Sequence, residues 1–269
     1  MKERAIAAFV ALLVVLPTLF YGGVWGVFAL AGIACLIGTS EFWNMISNQR
    51  ELSKSLSVVL YVVYSAVYLV LTLGVILTFT TSLMFVLVPA IFTLWLSALF
   101  FVPDNQEGMT FASNATFGLL YLPLLLSTFV ELRAINEDGL LWVVLAMVLT
   151  WSADTGAYFA GRFFGKTKLF PRVSPKKTME GVYGGIALTV LVAIGYTQTW
   201  LPEVTMVSAG FMGAVLAVLS VVGDLVESMM KRAFGVKDSG KFMPGHGGII
   251  DRLDSLLFTF PVVLAYVTY

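Results

Sequence analysis

The chain has 269 residues, of which 59% are hydrophobic and only 12% charged, with acids and bases in equal number. Soluble domains carry about 25% charged residues, so this composition excludes an ordinary soluble fold. The zero net charge supplies no overall field that would draw in nucleic acid, and no such partner is expected. The apolar runs suit helices of about 20 residues and not the short alternating segments of a membrane barrel. The expected class is therefore all-α, a polytopic integral membrane protein with about nine transmembrane helices.

Nine apolar segments follow one another, at roughly 5–21, 23–46, 56–79, 82–102, 111–130, 139–161, 181–200, 204–226 and 252–269. The first starts with Lys2 and Arg4 and has the outline of a signal peptide, but a second apolar run follows it directly, so a retained membrane helix is expected. Cys35, the sole cysteine, lies in that second run; it allows no internal disulfide and is expected to be a buried, inert thiol. Pro17, Pro89 and Pro123 fall within or near spans, where a kink is tolerated if neighbours satisfy the freed backbone. The last segment is short and begins with charges.

The connections set the orientation. If nine spans alternate, fifteen of the sixteen Lys and Arg residues fall on one side, and only Arg133 falls on the other. The positive-inside rule makes that side, with the N-terminus, cytoplasmic. Topology alone accounts for Lys2, Arg4, Arg50 and Lys54. It does not account for the many bases packed into two later loops among acids and glycines. The helices up to about residue 130 are accordingly expected to form a lipid-facing scaffold. The helices and loops of 139–269 are expected to form the catalytic part of a single membrane domain.

Three polar clusters lie on the cytoplasmic side. The first is "WSADTGAYFAGRFFGKTKLFPRVSPKKTMEGVYGG", 151–185. Asp154 ends an apolar span, and Ser174, Lys176, Lys177 and Thr178 stand just before a helix. Free N–H groups and the helix dipole add to the lysine charge there, which makes an anion site. The segment has no GxxxxGK[ST] pattern, so it is not a P-loop ATPase. The second is "VLSVVGDLVESMMKRAFG". On a helix its Asp224, Glu227, Ser228 and Lys231 share one face. An ionised acid costs about 3 kcal/mol or more at the bilayer centre, so Asp224 faces a polar cavity or a partner; a structural Asp–Lys pair at the membrane surface is the plainer alternative. The third is "KDSGKFMPGHGGIIDRLD", 237–254. Its glycines permit positive φ and close approach, and consecutive amides in such a turn can hold a phosphate. Asp251 and Asp254 then share a helix face, and two carboxylates so placed call for a cation. With Asp224 they suggest a hard-cation site, suited to Mg²⁺ bound by few carboxylates and substrate phosphates; neutralisation by Arg252 and nearby lysines is the alternative. His246, the sole histidine, sits in a glycine turn, where it more often binds a phosphate or a backbone group than acts as a base.

The segment "SMMKRAFGVKDSGKFMPGHGGIIDRLDS", together with "DTGAYFAGRFFGK" and "SPKKTMEG", resembles the diagnostic segments of the phosphatidate cytidylyltransferase family, also called CDP-diacylglycerol synthases. The first of these shows no departure from the family's pattern. The resemblance implies transfer of CMP from CTP to phosphatidic acid, giving CDP-diacylglycerol and pyrophosphate, with Mg²⁺ required and K⁺ as a second cation. Carried over by position, Asp224, Asp251 and Asp254 match the metal-centre acids. Lys231 and Arg232 are expected beside them in catalysis. Ser174, Lys176, Lys177, Thr178 and Lys237 match positions near the phosphates. Asp154, Lys166, Glu227, Ser228, Asp238, His246, Gly247, Gly248 and Arg252 are the further substrate-binding candidates. The resemblance also implies a multi-pass protein of the cell's inner (plasma) membrane, with its site facing the cytoplasm, and is compatible with a homodimer. Three other readings were open on the residues alone. A transporter would be expected to show paired interrupted helices. A lipid or polyprenol kinase would use the same metal logic with ATP. A structural subunit would leave the acids unexplained.

Overall fold

The computed structural model describes residues 2–48, 52–79, 82–242 and 247–269, with side chains from residue 12 onward. Each of the nine apolar segments forms helix. They are α1 (Lys2–Tyr21), α2 (Gly23–Ser47), α3 (Lys54–Ile76), α4 (Leu83–Phe101), α5 (Asn105–Leu119) continuing into α6 (Leu125–Ala134), α7 (Gly139–Phe164), α8 (Met179–Trp200), α9 (Met206–Ala233), and short α10 (Ile250–Leu253) leading into α11 (Leu256–Thr268). Among the described residues, seven helices are long and apolar enough to cross a membrane; α11, and the part of α1 whose side chains are described, Leu12–Tyr21, are shorter. The chain is an all-α, multi-pass membrane protein. One element breaks the helical pattern. The basic connection after α7 contains an antiparallel hairpin of β1 (Lys168–Phe170) and β2 (Ser174–Thr178).

The chain divides into two compact units. The first comprises Met1–Ala134 and Phe234–Asp251; the second comprises Ile135–Ala233 and Arg252–Tyr269. The polar segment before α10 thus groups with the N-terminal helices.

In the first unit, local signals place the helix ends. Ser53 caps α3 by accepting from the amide of Ser55, and Asp104 caps α5 by accepting from that of Glu107 at 2.8 Å. Pro123 has no N–H to give a helix, and the chain widens there into a π turn, Leu120–Leu124, between α5 and α6. Buried phenols need acceptors. The Tyr64 hydroxyl donates to the Ala115 carbonyl at 2.6 Å, and the Tyr68 hydroxyl to that of Phe28 at 2.5 Å. Gly118 leaves room for this packing: a Cβ there would strike the Tyr64 hydroxyl and the Phe42 ring. Cys35 is free and buried, as expected.

In the second unit, α7, α8 and α9 approach closely. Lipid is as apolar as a leucine side chain, so close backbone packing and interhelical hydrogen bonds hold such helices together. A Cβ on Gly156 would lie 2.6 Å from the Gly184 carbonyl oxygen. One on Gly223 would lie 2.5 Å from the Asp254 carbonyl oxygen. Hydrogen bonds supplement the contacts. The hydroxyls of Thr150 and Thr259 lie 3.1 Å apart, Tyr196 donates to the Leu141 carbonyl at 2.9 Å, and Ser255 donates to the Ser220 carbonyl at 3.0 Å.

Because backbone, not a flexible side chain, faces position 156, Gly156→Val should destabilise the protein by about 1–3 kcal/mol. The measurement is the thermal unfolding midpoint in detergent; an unchanged midpoint would contradict the close α7–α8 packing.

Candidate active site

The hairpin positions the lysines. Lys168 pairs with Thr178, and Phe170 with Ser174. Thr178 is the last strand residue and also the N-cap of α8, its hydroxyl accepting from the amide of Gly181 at 3.2 Å. Glu180, in the first turn of α8, accepts from the amides of Lys166 and Thr167, both at 3.1 Å. The hairpin is therefore tied at both ends to the start of α8. Glu180 was not among the expected site residues; its one signal in the sequence is an acid in the first turn of the helix that follows the lysines.

A cleft of about 420 Å³ lies at this end of the second unit. Lys176, Lys177 and Thr178 of the hairpin, Asp154 and Arg162 of α7, and Asp224 of α9 line it. The Lys177 ammonium lies 2.7 Å from Asp224 Oδ2 and the Ser228 hydroxyl donates to Asp224 Oδ1 at 3.2 Å. Ser220 donates to Asp154 Oδ1 at 3.5 Å. The partner of Asp224 is thus the hairpin lysine. Lys231, the partner that helix spacing suggested, is 2.6 Å from Glu227, whose side chain is fully buried. Neither of those two lines the cleft.

Asp254 stands in the turn after α10, its Oδ1 accepting from the amide of Ser255 at 2.7 Å. Part of its surface reaches solvent, yet protein crowds its carboxyl. Burial, and then the negative charge of Asp224, push its pKa up to about 7, with Asp154 adding to the rise and Lys177 only partly offsetting it. The charges of Asp224 and Asp154 thus reach Asp254, while the cleft lining itself carries three bases, Arg162, Lys176 and Lys177, against two acids, Asp154 and Asp224.

In the first unit, Asp251 Oδ2 accepts from the amides of Ser239 (2.9 Å) and Gly248 (2.7 Å) and from the Ser239 hydroxyl (3.0 Å). The amides of Ile249 and Ile250 donate to Glu41 of α2. Gly247 has the expected positive φ, at 84°. The glycine turn's amides from Gly248 to Ile250, read in the sequence as able to face a phosphate, are held here by protein carboxylates. Lys166, Arg232, Lys237, Asp238 and Arg252 are exposed, and Ser174 is half-buried. His246 lies outside the described residues. Glu41 was missed by sequence reasoning, although an acid inside an apolar helix is itself a signal.

A model of the cytidylyltransferase family matches residues 2–269. The chain belongs to this family. It is 34% identical over 277 aligned positions to a phosphatidate cytidylyltransferase of Staphylococcus epidermidis, covering 98% of this chain and 97% of that one. To the phosphatidate cytidylyltransferase of Bacillus subtilis it is 41% identical over 146 residues, 54% of each chain. To that of Pseudomonas aeruginosa it is 48% identical over 124 residues, 46% of each.

A cytidylyltransferase handles a nucleotide's phosphates, and the donor set here can be tested against a divalent cation. Among the described residues, no three His, Cys, Asp or Glu side chains cluster tightly enough to hold a metal ion between them. Mg²⁺ does not need that many: it takes one or two carboxylates and completes its shell with water and phosphate oxygens. Asp224 and Asp254, hard oxygen donors close enough for the charge of one to act on the other, fit that requirement.

The raised pKa of Asp254 has a defined effect on cation-free protein. A carboxyl whose folded pKa lies above its unfolded value of about 3.9 favours the fold most at low pH. That contribution is lost as pH rises through about 7. With divalent ions chelated, the unfolding midpoint should therefore fall between about pH 4 and 7, and Asp254→Asn should flatten the slope. An identical slope in both proteins would refute the assignment.

Proposed function

We propose that this cytidylyltransferase transfers CMP from CTP to phosphatidic acid, leaving CDP-diacylglycerol in the membrane and releasing pyrophosphate. The observation that carries the reading is the cleft at the ends of membrane helices, where Lys176, Lys177 and Arg162 face Asp154 and Asp224. The names of the relatives supply the substrate pair. An oxygen of the lipid phosphate attacks the α-phosphorus of CTP, and the bond to the β-phosphate bridging oxygen breaks. Both reactants are polyanions, so the catalyst's main tasks are neutralising charge and aligning the groups in line. Lys176 and Lys177 suit the phosphates of the donor and the leaving pyrophosphate. A phosphate monoester dianion is already nucleophilic, so the scheme requires no general base. The proposed ligands for Mg²⁺ are Asp224, Asp251 and Asp254, with K⁺ as a second cation; bound Mg²⁺ would neutralise phosphate charge and orient the transferring group.

The proposed location follows from the substrates. Phosphatidate is in the bilayer and CTP in the cytosol, so the site belongs on the cytoplasmic face of the plasma (inner) membrane, the side to which the Lys and Arg distribution assigns these loops. The resemblance also points to a homodimer.

Purified protein in detergent, given labelled CTP, phosphatidate and Mg²⁺, should form labelled CDP-diacylglycerol. Equal use of ATP, or no nucleotide consumption, would overturn the proposal. Asp224→Asn and Lys177→Met should each lower turnover by about 100-fold or more while the protein stays folded by thermal melting. Near-normal turnover in both would remove the cleft from the mechanism.

A further inference from the structure

Glu41 is the only charged residue in α2. It is 5% exposed. A carboxylate buried in a membrane helix has to be met by donors, and Glu41 has three among the described residues. The amide of Ile249 donates to Oε1 at 2.9 Å. The amide of Ile250 and the hydroxyl of Ser239 donate to Oε2, at 3.1 and 2.9 Å. The surroundings are shaped to admit this carboxylate. A Cβ on Gly240 would lie 2.5 Å from Oε1, and one on Gly248 would collide with Oε2 and with the Ser239 hydroxyl.

Glu41 thereby joins the two ends of the segment that leads to Asp251, Ser239–Gly240 and Gly248–Ile250. It also reaches Asp251 itself. The Ser239 hydroxyl, 4% exposed, lies 2.9 Å from Glu41 Oε2 and 3.0 Å from Asp251 Oδ2. A hydroxyl has one proton and can donate to only one of them at a time, while backbone amides hold both carboxylates throughout. The network is therefore shared: displacing Glu41 frees the Ile249 and Ile250 amides and redirects the Ser239 hydroxyl.

We propose that Glu41 is a positioning residue for Asp251, clamping Ser239 and the Gly248–Ile250 backbone so that the Asp251 carboxylate keeps one orientation. The proposal rests on the reading above, in which Asp251 serves cytidylyl transfer.

The test uses the full chain in detergent and two readouts. Amide hydrogen exchange, followed without substrate or metal, should be at least about tenfold faster at Ile249 and Ile250 in Glu41→Gln than in the native protein. In the CTP assay, Glu41→Gln should lower kcat by about tenfold or more and leave the KM for CTP within about twofold. In an Asp251→Asn background the same change should cost no further activity, since coupled residues are non-additive. Should Glu41→Gln fail to fold, Ser239→Ala, which removes only the shared hydroxyl, should show the kcat loss with an unchanged melting midpoint. Native exchange rates in Glu41→Gln, losses that add to Asp251→Asn, a lowered melting midpoint with normal kcat, or full activity of Ser239→Ala would each overturn the proposal. If the native protein makes no CDP-diacylglycerol, the function itself fails, and the exchange rates alone still decide whether the clamp exists.

Discussion

The second unit depends on how one carboxylate is satisfied. Asp224 lies in α9 after a long apolar run, where an acid has to be met by positive charge or hydrogen-bond donors. Lys177 meets it at 2.7 Å. Lys177 is the penultimate residue of β2, and α8 begins directly after Thr178, so this contact fixes the hairpin and the start of α8 with respect to α9. The glycine contact between α7 and α8 can then bring Asp154 and Arg162 to the same cleft. Without a cation at position 177, the hairpin would lose this tie to α9, and among the described residues Asp224 would keep the Ser228 hydroxyl.

The first unit meets its acids differently. Glu41 and Asp251 are held by backbone amides and one serine hydroxyl. Such donors are fixed by the chain and cannot turn away. A lysine on a flexible stem can move from a carboxylate to an incoming phosphate. Lys177 and Asp224 are 26% and 34% exposed, so solvent and solutes reach the pair. Glu41 and Asp251 are locked, and Asp224 is held by an exchangeable partner. The first arrangement suits a carboxylate that must keep one orientation, and the second suits a group that must receive and release polyanions.

Much of the helical architecture could be read from the apolar runs, because a bilayer forces backbone hydrogen bonds to close within each segment. Length separates the segments more finely: α11, at 13 residues, is shorter than a simple crossing requires. The hairpin was not legible, since its strands are three and five residues long and rich in Lys, Ser and Thr. The placement of Lys176 and Lys177 beside a helix start was legible from local order, but the pairing of Lys177 with Asp224 was not, because helix spacing points Asp224 toward Lys231. The glycines of 247–248 were legible as places of unusual backbone and close approach. What approaches Gly248 was not, because Glu41 is far away in the chain.

That distance has a consequence for how the protein is made. Glu41 contacts Ser239, Ile249 and Ile250 across 198, 208 and 209 residues of sequence. Helices such as α2 and α3 can close their own hydrogen bonds as each leaves the ribosome. The acid in α2 must wait until synthesis has passed residue 250 before these three donors exist. Until then α2 carries an unmet carboxylate, which water or lipid headgroups near the membrane surface can solvate. Contacts of such high sequence separation form late and slowly, so Ser239 and the Ile249 and Ile250 amides meet Glu41 only after the intervening helices have been made, and a chain stopped before residue 239 would leave Glu41 without any of them.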